Sequence, residues 1–238
     1  MSGVYFCEML IAHTKADRDQ QHLNFLLSSR ADTPDRTDFI LGSSKSDPVP
    51  VMIREVERLT DAGADLIAIP CNTAHYFYDR IAAKSKTPII NIIDQTVSFC
   101  KSRGLKKVGV LATAGTARSG AYRSSLSASG IEYLTCNDKE QAIIRDVIYT
   151  QIKKNLPPDI DGFMQVADSL MSQGCEAIIL GCTELSLLKK SFALRENFID
   201  SLEVLALSAI RLCHKEPCGF DSALMNFYPE RKTIYATK

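Results

Sequence analysis

Gly63-Ala64-Asp65-Leu66-Ile67-Ala68-Ile69-Pro70-Cys71-Asn72-Thr73 and Gly174-Cys175-Glu176-Ala177-Ile178-Ile179-Leu180-Gly181-Cys182-Thr183-Glu184 are two copies of one pattern. In each, eight positions separate the glycine from the cysteine, and a short apolar run stops at a proline or glycine. The residues after each cysteine are able to bind an anion. A short apolar run bounded by turn residues, alternating along the chain with helical periodicity, reads as a strand of a parallel α/β unit. Each cysteine then stands at the carboxyl end of a strand, where open α/β sheets bind ligands. A duplicated fold that sets a thiol at the same point of each half presents two thiols to one ligand from opposite sides, the geometry of two-base proton transfer.

Working outward, strands are expected at Leu23–Leu27, Leu66–Ile69, Ile89–Ile93, Val108–Ala112, Ile131–Thr135 and Ala177–Leu180. Helices are expected at Pro50–Ala62, Ala74–Ala83, Gln95–Ser102, Ser119–Ser129, Lys139–Lys153, Asp161–Ser172 and Ser201–Cys213. Gly63, Gly104, Gly130 and Gly174 stand where helices should stop. The duplication divides the chain into a first α/β domain over residues 1–103 carrying Cys71 and a second over 104–200 carrying Cys182. Residues 201–238 form a closing helix and a loose tail without a clear period. Ser119-Gly120-Ala121-Tyr122 echoes Ser2-Gly3-Val4-Tyr5, yet in the second half a strand and a small-residue loop precede it. The corresponding first strand of domain one is therefore expected to be missing, with chance similarity as the alternative.

The bulk properties exclude several classes. Lys+Arg and Asp+Glu are both 28, which gives no argument for nucleic acid or a membrane surface. Hydrophobic residues make up 45%, as in ordinary globular chains, and no apolar run approaches the ~20 residues of a membrane span. The opening residues lack a signal-peptide pattern, so a cytoplasmic protein is expected. The eight cysteines sit largely in apolar runs of a chain too long to need staples, and Cys213-His214 with Cys218 lacks a second ligand pair. Neither disulfides nor a metal are expected.

Removing the α-proton of an amino acid and returning one to the opposite face needs a base and an acid, and cysteine serves as either. A free thiol has a pKa of about 8.5, lowered at helix N-termini, and both Cys71 and Cys182 precede expected helix starts. A single cysteine ending a buried strand is more often structural; the matched pair reverses those odds. Asn72, Thr73 and Thr183 read as carboxylate binders at helix N-termini or as plain N-caps. Thr113-Ala114-Gly115-Thr116 is a small-residue anion-binding turn by the same logic, a weak signal alone. His75, one helical turn after Cys71, either tunes that thiol or packs. Glu184 either orients or deprotonates Cys182, or favours the helix start. Arg36, in a loop, either pairs with a carboxylate or is solvated.

These residues resemble the aspartate/glutamate racemase superfamily, which needs no pyridoxal phosphate. Pro70-Cys71-Asn72-Thr73-Ala74-His75 and Gly181-Cys182-Thr183-Glu184-Leu185 are similar to its two cysteine motifs, and Ala112-Thr113-Ala114-Gly115-Thr116 and Pro34-Asp35-Arg36-Thr37 to two more. Glu184 resembles the aspartate-racemase branch. The resemblance implies two pseudo-symmetric parallel-sheet α/β domains with the active site between them, no cofactor, and commonly a homodimer. It implies Cys71 and Cys182 as the acid/base pair, and Asn72, Thr73, Thr113, Thr116 and Thr183 around the α-carboxylate. It further implies Arg36 and Lys153, with Lys154 as the neighbouring alternative, around a side-chain carboxylate. The function expected is racemisation of an acidic amino acid, most of all aspartate. The alternatives are a related racemase or isomerase with another substrate, a silent paralogue that binds a small carboxylic acid, and a thiol redox sensor.

Overall fold

The computed structural model describes residues 2–192 and 194–229. The chain opens on α1 (Ser2–Ala12), which buries Phe6, Met9 and Leu10. A long connection that includes a 3₁₀ turn, Asp19–Gln21, leads to α2 (Arg36–Leu41), where the Asp35 side chain accepts the Asp38 N–H as an N-cap. Gly42, at φ 79°, stops that helix in a left-handed conformation that suits glycine. Prolines at the start of α3 (Val49–Asp61) favour its first turn, where no N–H donor is needed.

From there strands and helices alternate. β1 (Ile67–Ala68) is followed by a 3₁₀ turn, Thr73–Phe77, and α4 (Tyr78–Ala82). β2 (Ile89–Ile90) leads at once into α5 (Ile92–Ser102), because Asn91 caps that helix by accepting the Ile93 and Asp94 N–H groups. β3 (Lys107–Leu111) precedes α6 (Ala114–Ser119) and α7 (Ala121–Ala128). β4 (Glu132–Thr135) precedes α8 (Asp138–Asp146), opened by an Asn137–Glu140 capping box. After α9 (Ile160–Ser172) come β5 (Ala177–Leu180), α10 (Thr183–Ser191), β6 (Phe198–Asp200), α11 (Ser201–Leu212) and α12 (Ser222–Met225).

The strands form two parallel sheets, one of β1 and β2 and one of four strands in the order β4-β3-β5-β6. Alternation along β5 divides the core: Ala177 and Ile179 pack with residues of α5, α7 and α11, while Ile178 and Leu180 pack with residues of α8, α9 and α10. A smaller cluster, including Val49, Val56, Ile67, Phe77, Ile81 and Ile89, joins α3 and α4 to the two-stranded sheet. α11 packs against α1, α5 and α10 and has Leu202, Leu205, Leu207 and Ile210 fully buried, so one helix seals both halves.

The structure corrects several expectations. Leu23–Leu27 has no regular structure and joins no sheet, and Phe25, Leu26 and Leu27 are exposed: an apolar run does not make a strand without a neighbouring edge. Ile89–Ile93 ends as a strand at Ile90, where the Asn91 cap takes over. Ser119–Ser129 is split at Gly120 (φ 69°), and Lys139–Lys153 continues beyond α8 as a π-helical turn, Val147–Gln151, and a 3₁₀ turn, Ile152–Lys154. Phe198–Asp200 is a strand too short to leave a period. Residues 215–229, expected to be loose, are pinned to the N-terminal segment. Cys218 N–H donates to the His13 carbonyl at 2.8 Å, and Leu224 and Phe227 are buried. Residues 230–238 of the expected tail lie outside the described residues. No helix among the described residues is long and apolar enough to cross a membrane.

Candidate active site

β1 and β5 point their carboxyl ends at one cavity of about 210 Å³, lined from both halves of the chain. Cys71 and Cys182 both line it, and all eight cysteines are free.

On the Cys71 side, the Cys71 N–H donates to the Ile69 carbonyl at 2.7 Å, so Pro70 forms the apex of a tight turn. His75 Nδ1 lies 2.8 Å from the Cys71 carbonyl, and the Ile92 N–H points at Nε2 at 3.2 Å. Nε2 also lies 3.3 Å from the Ile90 carbonyl, but the Ile92 N–H can be received only by an unprotonated Nε2, which favours the neutral ring. Burial reinforces this by lowering the His75 pKa from its usual 6.5. His75 holds the backbone of Cys71 and does not line the cavity. Asn72 lines the cavity, but its side chain is turned inward. Its Nδ2 donates to Ser201 Oγ at 2.9 Å and its Oδ1 accepts from Tyr122 at 2.8 Å.

Cys182 is the N-cap residue of α10 and is 5% exposed. Its thiol donates to Glu184 Oε2 at 3.0 Å. Burial raises its pKa well above that of a free thiol, and the Glu184 charge and hydrogen bond raise it further. The expected help from a helix N-terminus is outweighed here, because a carboxylate and loss of water both act against the thiolate. On the other wall, α2 places Arg36 among Cys71, Asp35 and Glu184. Burial lowers the Arg36 pKa, but the neighbouring acidic groups of Cys71, Asp35 and Glu184 raise it overall. Its Nη1 also donates to the Pro34 carbonyl at 3.2 Å. The two thiols thus have opposite neighbours, a guanidinium for Cys71 and a carboxylate for Cys182.

The same cavity is also lined by part of a triangle of hydroxyls. Thr73 Oγ1 lies 3.0 Å from Thr113 Oγ1 and 2.9 Å from Thr116 Oγ1, which are 3.1 Å from each other. Thr113 also caps α6 by accepting the Thr116 N–H. Thr73 and Thr113 line the cavity, and Thr116 lies behind them. Thr183 Oγ1 donates to the Pro70 carbonyl at 3.3 Å, joining the two cysteine turns directly. Of the two candidate lysines, Lys153 lines the cavity, its Nζ 4.1 Å from the centre of the Tyr149 ring.

Sequence reasoning missed Tyr149, whose hydroxyl donates to Thr37 Oγ1 at 2.9 Å and ties the π-helical turn to α2. Its position four residues before Lys153 was a usable signal; the π turn was not. Thr37 and Asp35, also on the wall, lay unremarked inside the Pro34–Thr37 motif. The described residues contain no group of three or more side chains suited to hold a metal.

Residues 1–209 match the family described as Asp/Glu/Hydantoin racemase. Over 153 residues the chain is 29% identical to the broad specificity amino-acid racemase RacX of Bacillus subtilis (strain 168), covering 64% of this chain and 66% of the relative. Over 162 residues it is 30% identical to the glutamate racemase of Aquifex pyrophilus, covering 63% and 59%. The match therefore spans less than two thirds of the length of these two relatives. The structure of Picrophilus torridus aspartate racemase superposes with a TM-score of 0.76 at 28% identity, covering 91% of each chain.

Proposed function

The chain belongs to the Asp/Glu/hydantoin racemase family, and on that premise we propose that it racemises an acidic amino acid, aspartate first, without a cofactor. One observation carries the reading: two thiols line one cavity, one beside a guanidinium and the other hydrogen-bonded to a carboxylate. Burial and Glu184 hold Cys182 as the thiol, so in this reading Cys182 is the acid and Cys71, acting as thiolate, is the base. The thiolate takes the α-proton, the electron pair is left on the α-carbon, and the Cys182 thiol delivers its proton to the opposite face. The enzyme is then left with Cys71 as thiol and Cys182 as thiolate, poised for the reverse reaction.

In this reading Thr73, Thr113 and Thr183 hold the α-carboxylate with nearby backbone N–H groups. Thr116 supports that set from behind, and Asn72 and His75 act by holding the Cys71 turn. Arg36 and Lys153 receive the side-chain carboxylate, and Glu184 keeps Cys182 protonated. Two cations on the wall favour a dicarboxylic substrate. A second reading, a racemase with a wider substrate range, is favoured by Asp35 and Glu184 on the same wall, able to receive an ammonium.

The test is proton NMR of L- and D-aspartate in deuterated water with the purified chain and no added cofactor. The α-proton signal is expected to disappear while the opposite enantiomer accumulates. Cys71→Ser and Cys182→Ser are each expected to abolish inversion, with exchange from one face surviving in one of them. Activity on neutral or basic amino acids alone favours the second reading. No exchange by folded protein with any amino acid overturns the racemase and leaves a binder of small acids.

A further inference from the structure

The residue four places after each cysteine makes an equivalent contact. In the first half His75, four places after Cys71, receives the Ile92 N–H at the junction of β2 and α5. In the second half Ser186, four places after Cys182, donates to Asp200 Oδ1 at 2.7 Å, at the junction of β6 and α11. Four residues make about one helical turn, so each anchor sits one turn beyond its cysteine. Each thiol-bearing turn is thereby fastened to the next strand–helix junction of its own sheet.

The β6–α11 junction reaches further. Asp200 Oδ1 also accepts the Leu202 N–H at 2.8 Å, capping α11. Ser201 Oγ donates to the Leu180 carbonyl at 2.8 Å, two residues before Cys182, and accepts from Asn72 Nδ2, the residue after Cys71. Asp200, Ser201 and Asn72 are 2%, 0% and 2% exposed, so water does not compete for these bonds. Tyr122 holds the other end of the Asn72 amide. One buried dipeptide is thus bonded to both cysteine turns.

We propose that Asp200 and Ser201 are positioning residues that set the placement of the two thiols relative to each other across the cavity. Asp200 acts through Ser186 on the Cys182 side, and Ser201 through Asn72 on the Cys71 side. The inference rests on the two-thiol reading of function. Its physical basis is that proton transfer on opposite faces of one carbon tolerates little misalignment, since a displacement of about 1 Å costs up to ~100-fold in rate.

The experiment compares wild type with Ser201→Ala, Ser201→Thr and Ser186→Ala by two measurements. One is bridging of Cys71 and Cys182 by dibromobimane, mapped by mass spectrometry, which needs no turnover. The other is the ratio of inversion to α-hydrogen exchange for aspartate in deuterated water. Bridging is expected in wild type, slower by at least about fivefold in Ser201→Ala, and restored in Ser201→Thr, which keeps the hydroxyl. In Ser201→Ala inversion is expected to fall about tenfold while one-face exchange continues and KM stays within about threefold. Should Ser201→Ala fail to fold, Ser186→Ala makes the same test from the Cys182 side. Bridging and inversion-to-exchange ratios equal to wild type in the folded alanine variants overturn the inference. If wild type turns over no amino acid, the reading of function fails, and the bridging comparison alone decides the positioning.

Discussion

At the residue scale, chemically identical side chains have been given different surroundings. Cys182 is enclosed and donates to Glu184, whereas Cys71 shares the cavity wall with Arg36. Glu184→Gln removes a negative charge from beside the Cys182 thiol, so its pKa falls. The alkaline limb of kcat/KM, where Cys182 loses the proton it must donate, is then expected to move to lower pH; an unmoved limb refutes the role given to Glu184. His75 gives a separate test on stability. Its folded pKa lies below the unfolded 6.5, so below that pH the unfolded chain binds more protons. The stability His75 contributes is present above 6.5 and is lost as pH falls toward its folded pKa. Wild type is expected to lose more melting temperature between about pH 7.5 and 5.5 than His75→Asn, whose side chain does not titrate there. Equal losses would show that His75 is not held neutral. The sequence put His75 beside Cys71 but left its role open, because one helical turn brings a ring equally near the thiol or the carbonyl.

At the element scale, the departure from regular helix carries the most consequence. The run from Lys139 to Lys153 has helical periodicity throughout and gives no sign of the π turn at Val147–Gln151. π turns are frequent at functional sites, and this one carries Tyr149 at the cavity wall, under Lys153 and bonded to Thr37 on α2. Tyr149→Leu removes the ring beneath the ammonium, an interaction of about 0.5–1 kcal/mol at exposed sites, so KM for aspartate is expected to rise about two- to fivefold with a smaller change in kcat. Tyr149→Phe keeps the ring and is expected to stay nearer wild type. If both variants match wild type in KM, Lys153 does not meet the substrate from this position. The α2–α6 approach is similarly tight. A Cβ on Gly115 would lie 2.9 Å from the Thr37 Cα, so glycine lets α6 come against the helix that carries Arg36.

At the scale of the whole molecule, the buried α11 and the shared cavity bind the two parallel sheets into one working unit. We propose a homodimer on the family resemblance; sedimentation equilibrium is expected to give twice the 26.3 kDa chain mass, and a monomer at working concentration would refute it. The sequence by itself determined the alternation of strands and helices, the sheet-end position of both cysteines, and most of the residues around them. Those features rest on periodicity and turn residues, which are local properties of the chain. Tertiary structure alone decided which partners those residues meet. Asn72 bonds to Ser201, 129 positions away, and Thr73 to Thr113, 40 away. It also decided that Cys182 is enclosed, that Leu23–Leu27 finds no strand to pair with, and that residues 215–229 are held by distant contacts. Hydrogen bonding and desolvation act over a few ångströms of space, and separation along the chain does not fix that distance.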